Sequence, residues 1–127
     1  MSEISEISKA IEILKKFKVK EINLLHCVAD YPTKENDVNM KIIELYKNLN
    51  LNNIGFSDHT LNNVSSLVAL GMGARIFEKH ITLDKEDPGP DNFYALDPNE
   101  FKKYVLDLKL GFEALGTRDK IISVNEK

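Results

Sequence analysis

The chain has almost no cysteine: Cys27 is the single one among 127 residues. One thiol cannot form a disulfide within the chain, so the class of small secreted domains that depend on disulfides is excluded. The first residues, Met1-Ser2-Glu3-Ile4, also lack the basic and apolar regions of a secretory signal peptide. We therefore expect a protein of the reducing cytoplasm.

Excess basic charge and long apolar runs are absent as well. The net charge is −3, with 17 Lys and Arg against 20 Asp and Glu, which offers no basic surface to nucleic acid or to an anionic membrane. No apolar run approaches the roughly 20 residues that a membrane-spanning helix needs. The chain is 43% hydrophobic and 29% charged, which is typical of one soluble globular domain.

Helical and strand-like segments alternate along the chain. Ser2 or Ser5 is expected to cap a first helix, whose apolar residues recur at helical spacing: Ile4, Ile7, Ile11, Leu14 and Phe17. Short strands are predicted at 21–27, 53–57 and 74–78, and the first is apolar enough to be buried. Further helices are predicted at 38–49, 62–72 and 98–115. The buried faces expected for the second and last helices are Ile42, Leu45, Tyr46 and Leu49, and Phe101, Val105, Leu108 and Phe112.

The last helix has the clearest start signal. Asp97-Pro98-Asn99-Glu100 places an acid at the N-cap, proline at the first helical position and glutamate at the third.

The alternation of strands and helices along the chain predicts a parallel α/β sheet with right-handed crossovers. Three strands fit either a small doubly wound sheet or a piece of a larger barrel, and the pattern does not choose between them.

Two histidines follow neighbouring strands at equivalent places. His59 lies in Gly55-Phe56-Ser57-Asp58-His59-Thr60 and His80 in Phe77-Glu78-Lys79-His80-Ile81-Thr82, 21 positions later. Adjacent parallel strands lie about 4.8 Å apart, so both imidazoles could reach one divalent metal. The alternative is two unrelated polar residues at strand ends. A long loop, 83–96, follows the second histidine, and loops of this length in compact domains are often functional.

Four motifs, in this order and spacing, resemble those of the N-acetylneuraminate (sialic acid) synthase family, which includes legionaminate and pseudaminate synthases. They are Leu24-Leu25-His26-Cys27 with Tyr31-Pro32-Thr33, Gly55 to Thr60, Glu78-Lys79-His80-Ile81-Thr82-Leu83-Asp84, and Pro88-Gly89-Pro90-Asp91. The resemblance covers about residues 1–117. It implies that 1–116 form a partial (β/α)8 barrel, with the last three of eight strands, and that 117–127 are a tail or linker.

The resemblance also implies a reaction. The family condenses phosphoenolpyruvate with an N-acylated hexosamine-type sugar aldehyde and releases phosphate, using Mn²⁺, Mg²⁺ or Co²⁺. A complete barrel takes about 250 residues, so we expect this chain to be a fragment that is inactive alone. The alternatives are a subunit of a split synthase with an N-terminal half-barrel partner, a homo-oligomer, a metal-binding or interaction module without catalysis, and a non-functional remnant.

Six residues carry the expected site. His59 and His80 match the family's metal ligands, and Glu78 matches an active-site glutamate that would handle the proton of an attacking water. Ser57 matches a phosphate-binding residue. Tyr31 and Asp91 match residues that contact the sugar. For each of these, an ordinary structural role is the alternative.

Four neighbouring residues are assigned structural roles. Lys79 alternates with Glu78 and His80, so it is expected to pack or form a salt bridge, and Asp58 could orient a neighbouring group. His26 is expected to be structural rather than a third metal ligand, and Cys27 an inert buried thiol. Ala29 and Ala95 depart from the family pattern at positions where polar residues are common; the first weakens the expectation of full phosphoenolpyruvate affinity.

Overall fold

A computed structural model describes residues 2–126, and it contains one sheet of three parallel strands in the order β1-β2-β3. The strands are β1 (Asn23–Cys27), β2 (Asn53–Asp58) and β3 (Ile76–Lys79). The helices in residues 2–126 are α1 (Ile4–Lys16), α2 (Ile42–Lys47), α3 (Val64–Gly71) and α4 (Pro98–Leu115), with 3-10 turns at Glu35–Asp37 and Val124–Glu126. The three predicted strands and four helices are all present. Met1 and Lys127, the latter part of the predicted tail, lie outside the described range.

The register of the sheet sorts its side chains onto two faces. Cys27, Ser57 and Glu78 form one row across the three strands, and His26, Phe56 and Phe77 form the next. We call the face with Ser57 and Glu78 the inner face, and the face with Phe56 the outer face. Successive residues of a strand point to opposite faces, so His59 belongs with Ser57 and His80 with Glu78.

The core lies on the outer face, between the sheet and its crossover segments. Its fully buried members are Val38, Phe56, Ala69 and Ala74, with Met40 and Phe77 packed against them. On the inner face, Gly55 allows close strand contact, because a Cβ there would lie 2.6 Å from the Ile76 carbonyl oxygen. Alanine in place of this glycine would force β2 and β3 apart.

The predicted burial of β1 is wrong. Leu24, Leu25 and His26 are only partly buried, and Asn23 and Cys27 are exposed. The reason is topological: β1 is an edge strand, so one side of its apolar sequence has no neighbour among the described residues.

The second helix is shorter than predicted and buries a different face. Asn39 has φ of 49°, a left-handed conformation that interrupts a helix, so α2 begins only at Ile42. Its buried residues are Ile43 and Tyr46, whereas Leu45 is 42% exposed. Of the predicted face, Tyr46 is confirmed as buried and Leu45 is wrong.

The predicted N-cap is wrong for the first helix and right for the last. The predicted N-cap of α1 is wrong: Glu3 occupies that position, and its N–H donates to the Glu6 carboxylate at 2.8 Å. The N-cap of α4 is confirmed, since Asp97 accepts from the N–H groups of Asn99 at 2.7 Å and Glu100 at 2.8 Å.

The buried face of α4 is rotated from the predicted one. α4 meets α3 at Gly111, and Tyr104 is the residue that it buries fully. Of the predicted face, Phe101, Val105 and Leu108 are partly buried and Phe112 is 55% exposed. All but Phe101 border an open groove that Phe77 of β3 also lines. Residues 117–126 are exposed along their whole length, and the domain boundary at 116 stays a prediction. No helix within residues 2–126 is long and apolar enough to cross a membrane.

Candidate functional site

The two predicted histidines lie side by side at the carboxyl ends of β2 and β3. Their ring centroids are 5.2 Å apart with an interplanar angle of 68°. His59 is 4% exposed, and the side chain of His80 is 33% exposed. The predicted convergence of the two rings is therefore confirmed, and metal binding by them stays a prediction.

A backbone carbonyl orients the ring of His59. Its Nδ1 lies 2.7 Å from the carbonyl oxygen of Val28, which can only accept, so Nδ1 carries the proton. In the neutral ring, Nε2 then has a lone pair. That atom lies 3.3 Å from Ser57 Oγ, on the side of the inner face. Such an arrangement is typical of a histidine held ready to ligate a metal.

His80 is held by two side chains from the long loop. Its Nδ1 lies 3.3 Å from the Tyr94 hydroxyl and 3.6 Å from Asp91 Oδ2. Burial, together with the nearby Asp91 carboxylate, raises the pKa of Tyr94, so the phenol keeps its proton. Because both contacts are at Nδ1, the other ring nitrogen, Nε2, is left for a ligand.

Ser57 and Glu78 form a hydrogen-bonded pair across β2 and β3. The Ser57 hydroxyl donates to Glu78 Oε1 at 2.5 Å, and the two residues are direct partners in the strand register. Glu78 is exposed on the inner face, where its carboxylate can accept a proton. The single proton of Ser57 is committed to Glu78, so contact with a phosphate would require that hydroxyl to turn.

Tyr31 covers the two histidines. Its ring centroid lies 4.4 Å from that of His59 and 5.9 Å from that of His80. The loop is tied to the end of β2, since the N–H of Thr33 donates to the His59 carbonyl at 2.9 Å. Tyr31 is 44% exposed, so one side of its ring is available to a ligand.

The long loop returns to β3 in a similar way. The N–H of Leu96 donates to the His80 carbonyl at 2.9 Å, and the N–H of Thr82 donates to the Leu96 carbonyl at 2.9 Å. These bonds bring Asp91 and Tyr94 beside His80. All six residues of the predicted site thus lie around one cluster on the inner face.

Four neighbouring residues have predicted structural roles, and three of them lie on the outer face. His26 is on the outer face, with Nε2 2.6 Å from the Val38 carbonyl oxygen, which agrees with its predicted structural role. Lys79 forms the predicted salt bridge, 3.3 Å from Asp58 Oδ1. The prediction for Cys27 is wrong: its thiol is exposed, because it ends an edge strand.

Tyr94 is the site residue that sequence reasoning missed. It is 4% exposed, and its ring centroid lies 5.2 Å from that of His80 and 5.6 Å from that of Tyr31. The signal available in the sequence was an aromatic pair, Phe93-Tyr94, inside a loop otherwise rich in turn-forming residues. Such a pair indicates that the loop folds back onto the domain.

The cluster is compatible with a metal but does not form a complete site. Two histidines with available Nε2 atoms are good ligands for a divalent cation. Among residues 2–126, no three His, Cys, Asp or Glu side chains are grouped closely enough to hold a metal ion by themselves. Any bound cation would therefore need further ligands from a substrate or from additional polypeptide.

Comparison with known sequences identifies relatives. Residues 1–120 match the sequence model of the NeuB family. The chain is 40% identical over 127 residues to an uncharacterized protein of Methanocaldococcus jannaschii, covering 100% of this chain and 38% of that protein. It is 36% identical over 130 residues to N,N'-diacetyllegionaminic acid synthase of Legionella pneumophila, covering 99% of this chain and 36% of that enzyme. The chain thus spans little more than a third of these relatives.

A solved structure shows the same arrangement of elements. It is the N-acetylneuraminic acid (sialic acid) synthetase of Leptospira borgpetersenii in complex with citrate, with a TM-score of 0.88 and 35% sequence identity. The match covers 99% of this chain and 44% of that one. It identifies the three-stranded sheet as part of a (β/α) barrel rather than a small doubly wound sheet, which confirms the predicted fold class.

Proposed function

Since the chain belongs to the NeuB family, we propose that it forms part of an enzyme that condenses phosphoenolpyruvate with an N-acylated sugar aldehyde and releases phosphate. Relatives named as synthases of legionaminic, pseudaminic and N-acetylneuraminic acids support this reaction class. Strands β1 to β3 would be the last three of eight. The other strands would come from further polypeptide, in the same chain or another, and residues 1–127 alone would not turn over substrate.

The observation that carries the proposal is the inner-face cluster. Two histidine rings 5.2 Å apart stand beside a serine–glutamate pair joined at 2.5 Å. Each ring is fixed through Nδ1, which leaves the Nε2 atoms of both histidines on the inner-face side. The arrangement is that of a site that receives a polar ligand.

His59 and His80 would hold a divalent cation such as Mn²⁺, Mg²⁺ or Co²⁺. The fit rests on the contacts at each Nδ1, namely the Val28 carbonyl for His59 and the Tyr94 hydroxyl with Asp91 for His80. When bound, the cation would supply Lewis-acid polarisation of the sugar's aldehyde carbonyl.

Glu78 and Ser57 would act on the phosphoenolpyruvate side. In the overall reaction, the enol carbon bonds to the aldehyde carbon, water adds to the carbon that bears the phosphate, and phosphate leaves. The Glu78 carboxylate, exposed on the inner face, would accept the proton of that water. Ser57 would turn from Glu78 to donate its proton to the phosphate.

Tyr31 and Asp91 would contact the sugar. The exposed side of the Tyr31 ring forms a flat wall next to His59, and the Asp91 side chain is 54% exposed beside His80. A carboxylate accepts hydrogen bonds from hydroxyl groups, and an aromatic ring packs against the apolar face of a sugar. Both residues would therefore position the aldehyde near the two histidines.

Complementation tests the proposed reaction. The chain would be mixed with the separately produced N-terminal part of a full-length relative, and phosphate release would be followed with phosphoenolpyruvate, an N-acetylated hexosamine and Mn²⁺. We expect turnover in the mixture and none from the chain alone, with Glu78→Gln reducing turnover by about 10²–10⁴-fold. Glu86→Gln, an exposed loop residue, is the matched control. A soluble complex that shows no turnover would contradict the proposal.

Metal binding separates catalysis from the alternative of a non-catalytic metal-binding module. In the complemented protein, electron paramagnetic resonance of Mn²⁺ should show binding that His59→Ala and His80→Ala each abolish and that His26→Gln leaves unchanged. Mn²⁺ binding by the complemented protein without phosphoenolpyruvate binding would favour the module. Equal loss in all three variants would argue against a site at His59 and His80.

A further inference from the structure

The residues directly before the two histidines form a buried ion pair on the outer face. Lys79 Nζ lies 3.3 Å from Asp58 Oδ1, and the side chains are 3% and 0% exposed. The two residues are direct partners in the register of β2 and β3. The pair therefore joins the two strand ends one residue before each strand reaches the site.

A chain of hydroxyl groups connects the carboxylate of this pair to the helices. Ser66 Oγ, on α3, donates to Asp58 Oδ2 at 2.6 Å, and it lies 2.7 Å from the Tyr104 hydroxyl on α4. The one proton of Ser66 goes to Asp58, so Tyr104 must be the donor to Ser66. Burial raises the pKa of Tyr104, which keeps that proton in place.

The remaining oxygen of the carboxylate is satisfied locally. Asp58 Oδ1 accepts from the N–H and the hydroxyl of Thr60, each at 2.8 Å. Lys79 Nζ also donates to the Thr60 carbonyl, and it lies 5.7 Å from the ring centroid of Tyr104. We call these residues the outer-face network: Asp58, Thr60, Ser66, Lys79 and Tyr104.

Stability alone does not account for the outer-face network. Removing two charges from water is costly, and an apolar pair of similar volume usually gives a fold of equal or greater stability. A fully hydrogen-bonded pair also fixes one geometry, a role that buried polar pairs have in some proteins.

We propose that the outer-face network is a positioning device that sets the separation and orientation of His59 and His80. The network joins β2, β3, α3 and α4, and each histidine is bonded through its backbone to a member of the ion pair. A small sliding of one strand end relative to the other would move the rings apart directly. Ligating groups need placement to within about 0.5 Å, which a single defined ion-pair geometry supplies.

The test uses a double variant that removes the charges and keeps the volume, Asp58→Asn with Lys79→Met. The matched control is Lys103→Met, which breaks an exposed ion pair with Asp107, where the lysine side chain is 75% exposed. The first measurement is the nuclear Overhauser contact between the rings of His59 and His80, recorded without metal. The second is the Mn²⁺ affinity of the protein complemented with the N-terminal part of a full-length relative. Circular dichroism melting reports whether each variant is folded.

We expect the folded double variant to lose the contact between the rings and to bind Mn²⁺ about tenfold more weakly or worse, whereas Lys103→Met matches the wild type in both. A folded double variant that keeps the wild-type ring contact would overturn the proposal. If the double variant does not fold, Tyr104→Phe takes its place, because it removes one hydroxyl at the far end of the network. Unchanged ring signals in Tyr104→Phe would then overturn the proposal, and altered ones would support it.

The Mn²⁺ measurement rests on the proposed metal site, and the ring measurement does not. Complemented wild-type protein that binds no Mn²⁺ would contradict the proposed metal site, and the ring contacts would still decide whether the network positions the histidines. Failures of the two proposals are therefore distinguishable.

Discussion

The ends of β2 and β3 carry polar side chains on both faces of the sheet. Asp58 and Lys79 on the outer face are buried, whereas Glu78 and His80 on the inner face are accessible to water. On the outer face, Asp58 and Lys79 are closed off from water, and every buried polar side-chain atom in the described part of the chain has a hydrogen-bond partner. On the inner face, Glu78 is exposed, and the histidine beside it is one-third exposed.

Residues that are adjacent in the chain therefore have different roles: one fixes the strand ends, and the next is placed to bind a ligand. A buried charge is tolerated only when its partners are complete, so the outer face has one arrangement. An exposed carboxylate or imidazole is hydrated in the absence of a ligand and can exchange that water for substrate. The same strand ends therefore hold fixed, buried groups on the outer face and groups that can bind a ligand on the inner face.

The strongest test of this contrast is Lys79→Met. It leaves the Asp58 carboxylate buried without its cation, which should lower the free energy of unfolding by about 3–5 kcal/mol. Lys103→Met, at an exposed ion pair, should change it by no more than about 0.5 kcal/mol. Urea denaturation followed by circular dichroism measures both. Equal effects of the two substitutions would show that the Asp58–Lys79 pair is hydrated in solution.

Gly55→Ala tests how closely the neighbouring strands approach each other on the inner face of the sheet. The added Cβ would lie 2.6 Å from the Ile76 carbonyl oxygen and 2.8 Å from Leu25 Cγ, so we expect a loss of about 1–3 kcal/mol. Gly71→Ala is the control, since nothing lies within 4 Å of its added Cβ. A neutral Gly55→Ala variant in thermal melts would contradict the close approach of β2 and β3.

Two serine-to-alanine variants, one on each face of the sheet, compare the two faces directly. Ser66→Ala leaves both Asp58 Oδ2 and the Tyr104 hydroxyl without their partner in a buried place, which should cost about 1–3 kcal/mol. Ser57→Ala removes one bond to an exposed glutamate that water can replace, so its cost should stay below about 1 kcal/mol. Denaturation midpoints of the two variants measure the difference. The reverse order would contradict the assignment of open and closed faces.

The smallest effect is expected at an exposed ion pair, that of Lys85 and Glu100, 2.5 Å apart. The contact with Lys85, followed by the Asp97 N–H, lowers the pKa of Glu100 below its ordinary 4.5. Its stabilisation is therefore present above pH 4.5 and is lost as the pH falls through the lowered folded-state value. Glu100→Gln should remove this part of the acid sensitivity, and Glu86→Gln should not. Melting temperatures recorded across that range measure the change, and identical profiles for wild type and Glu100→Gln would contradict it.

Most of the candidate site could be predicted because it depends on local spacing. Ser57 and His59 are two residues apart on one strand, as are Glu78 and His80 on the next, so each pair must share a face. The parallel pairing of the two strands then brings the two pairs together. Tyr31 and Asp91 were assigned from the resemblance, and the structure places both beside the histidines. Their roles toward substrate stay predictions.

The missed or misplaced features all depend on residues distant in sequence. Tyr94 reaches His80 because the N–H of Leu96 donates a hydrogen bond to the carbonyl of that histidine. No local sequence pattern predicts this contact. The exposure of Cys27 and the rotation of the α4 face depend on where the sheet ends, since β1 and β3 have no neighbours on their outer sides in residues 2–126.

The sequence by itself determined the order of elements, the face on which each polar residue lies and the family. These follow from the two-residue period of strands, from helix caps and from the spacing of the motifs. The tertiary structure alone decided which polar groups are closed off and which stay available, because burial depends on what packs over a side chain. That is why Lys79 and His80, adjacent in the chain with side chains 3% and 33% exposed, have different uses.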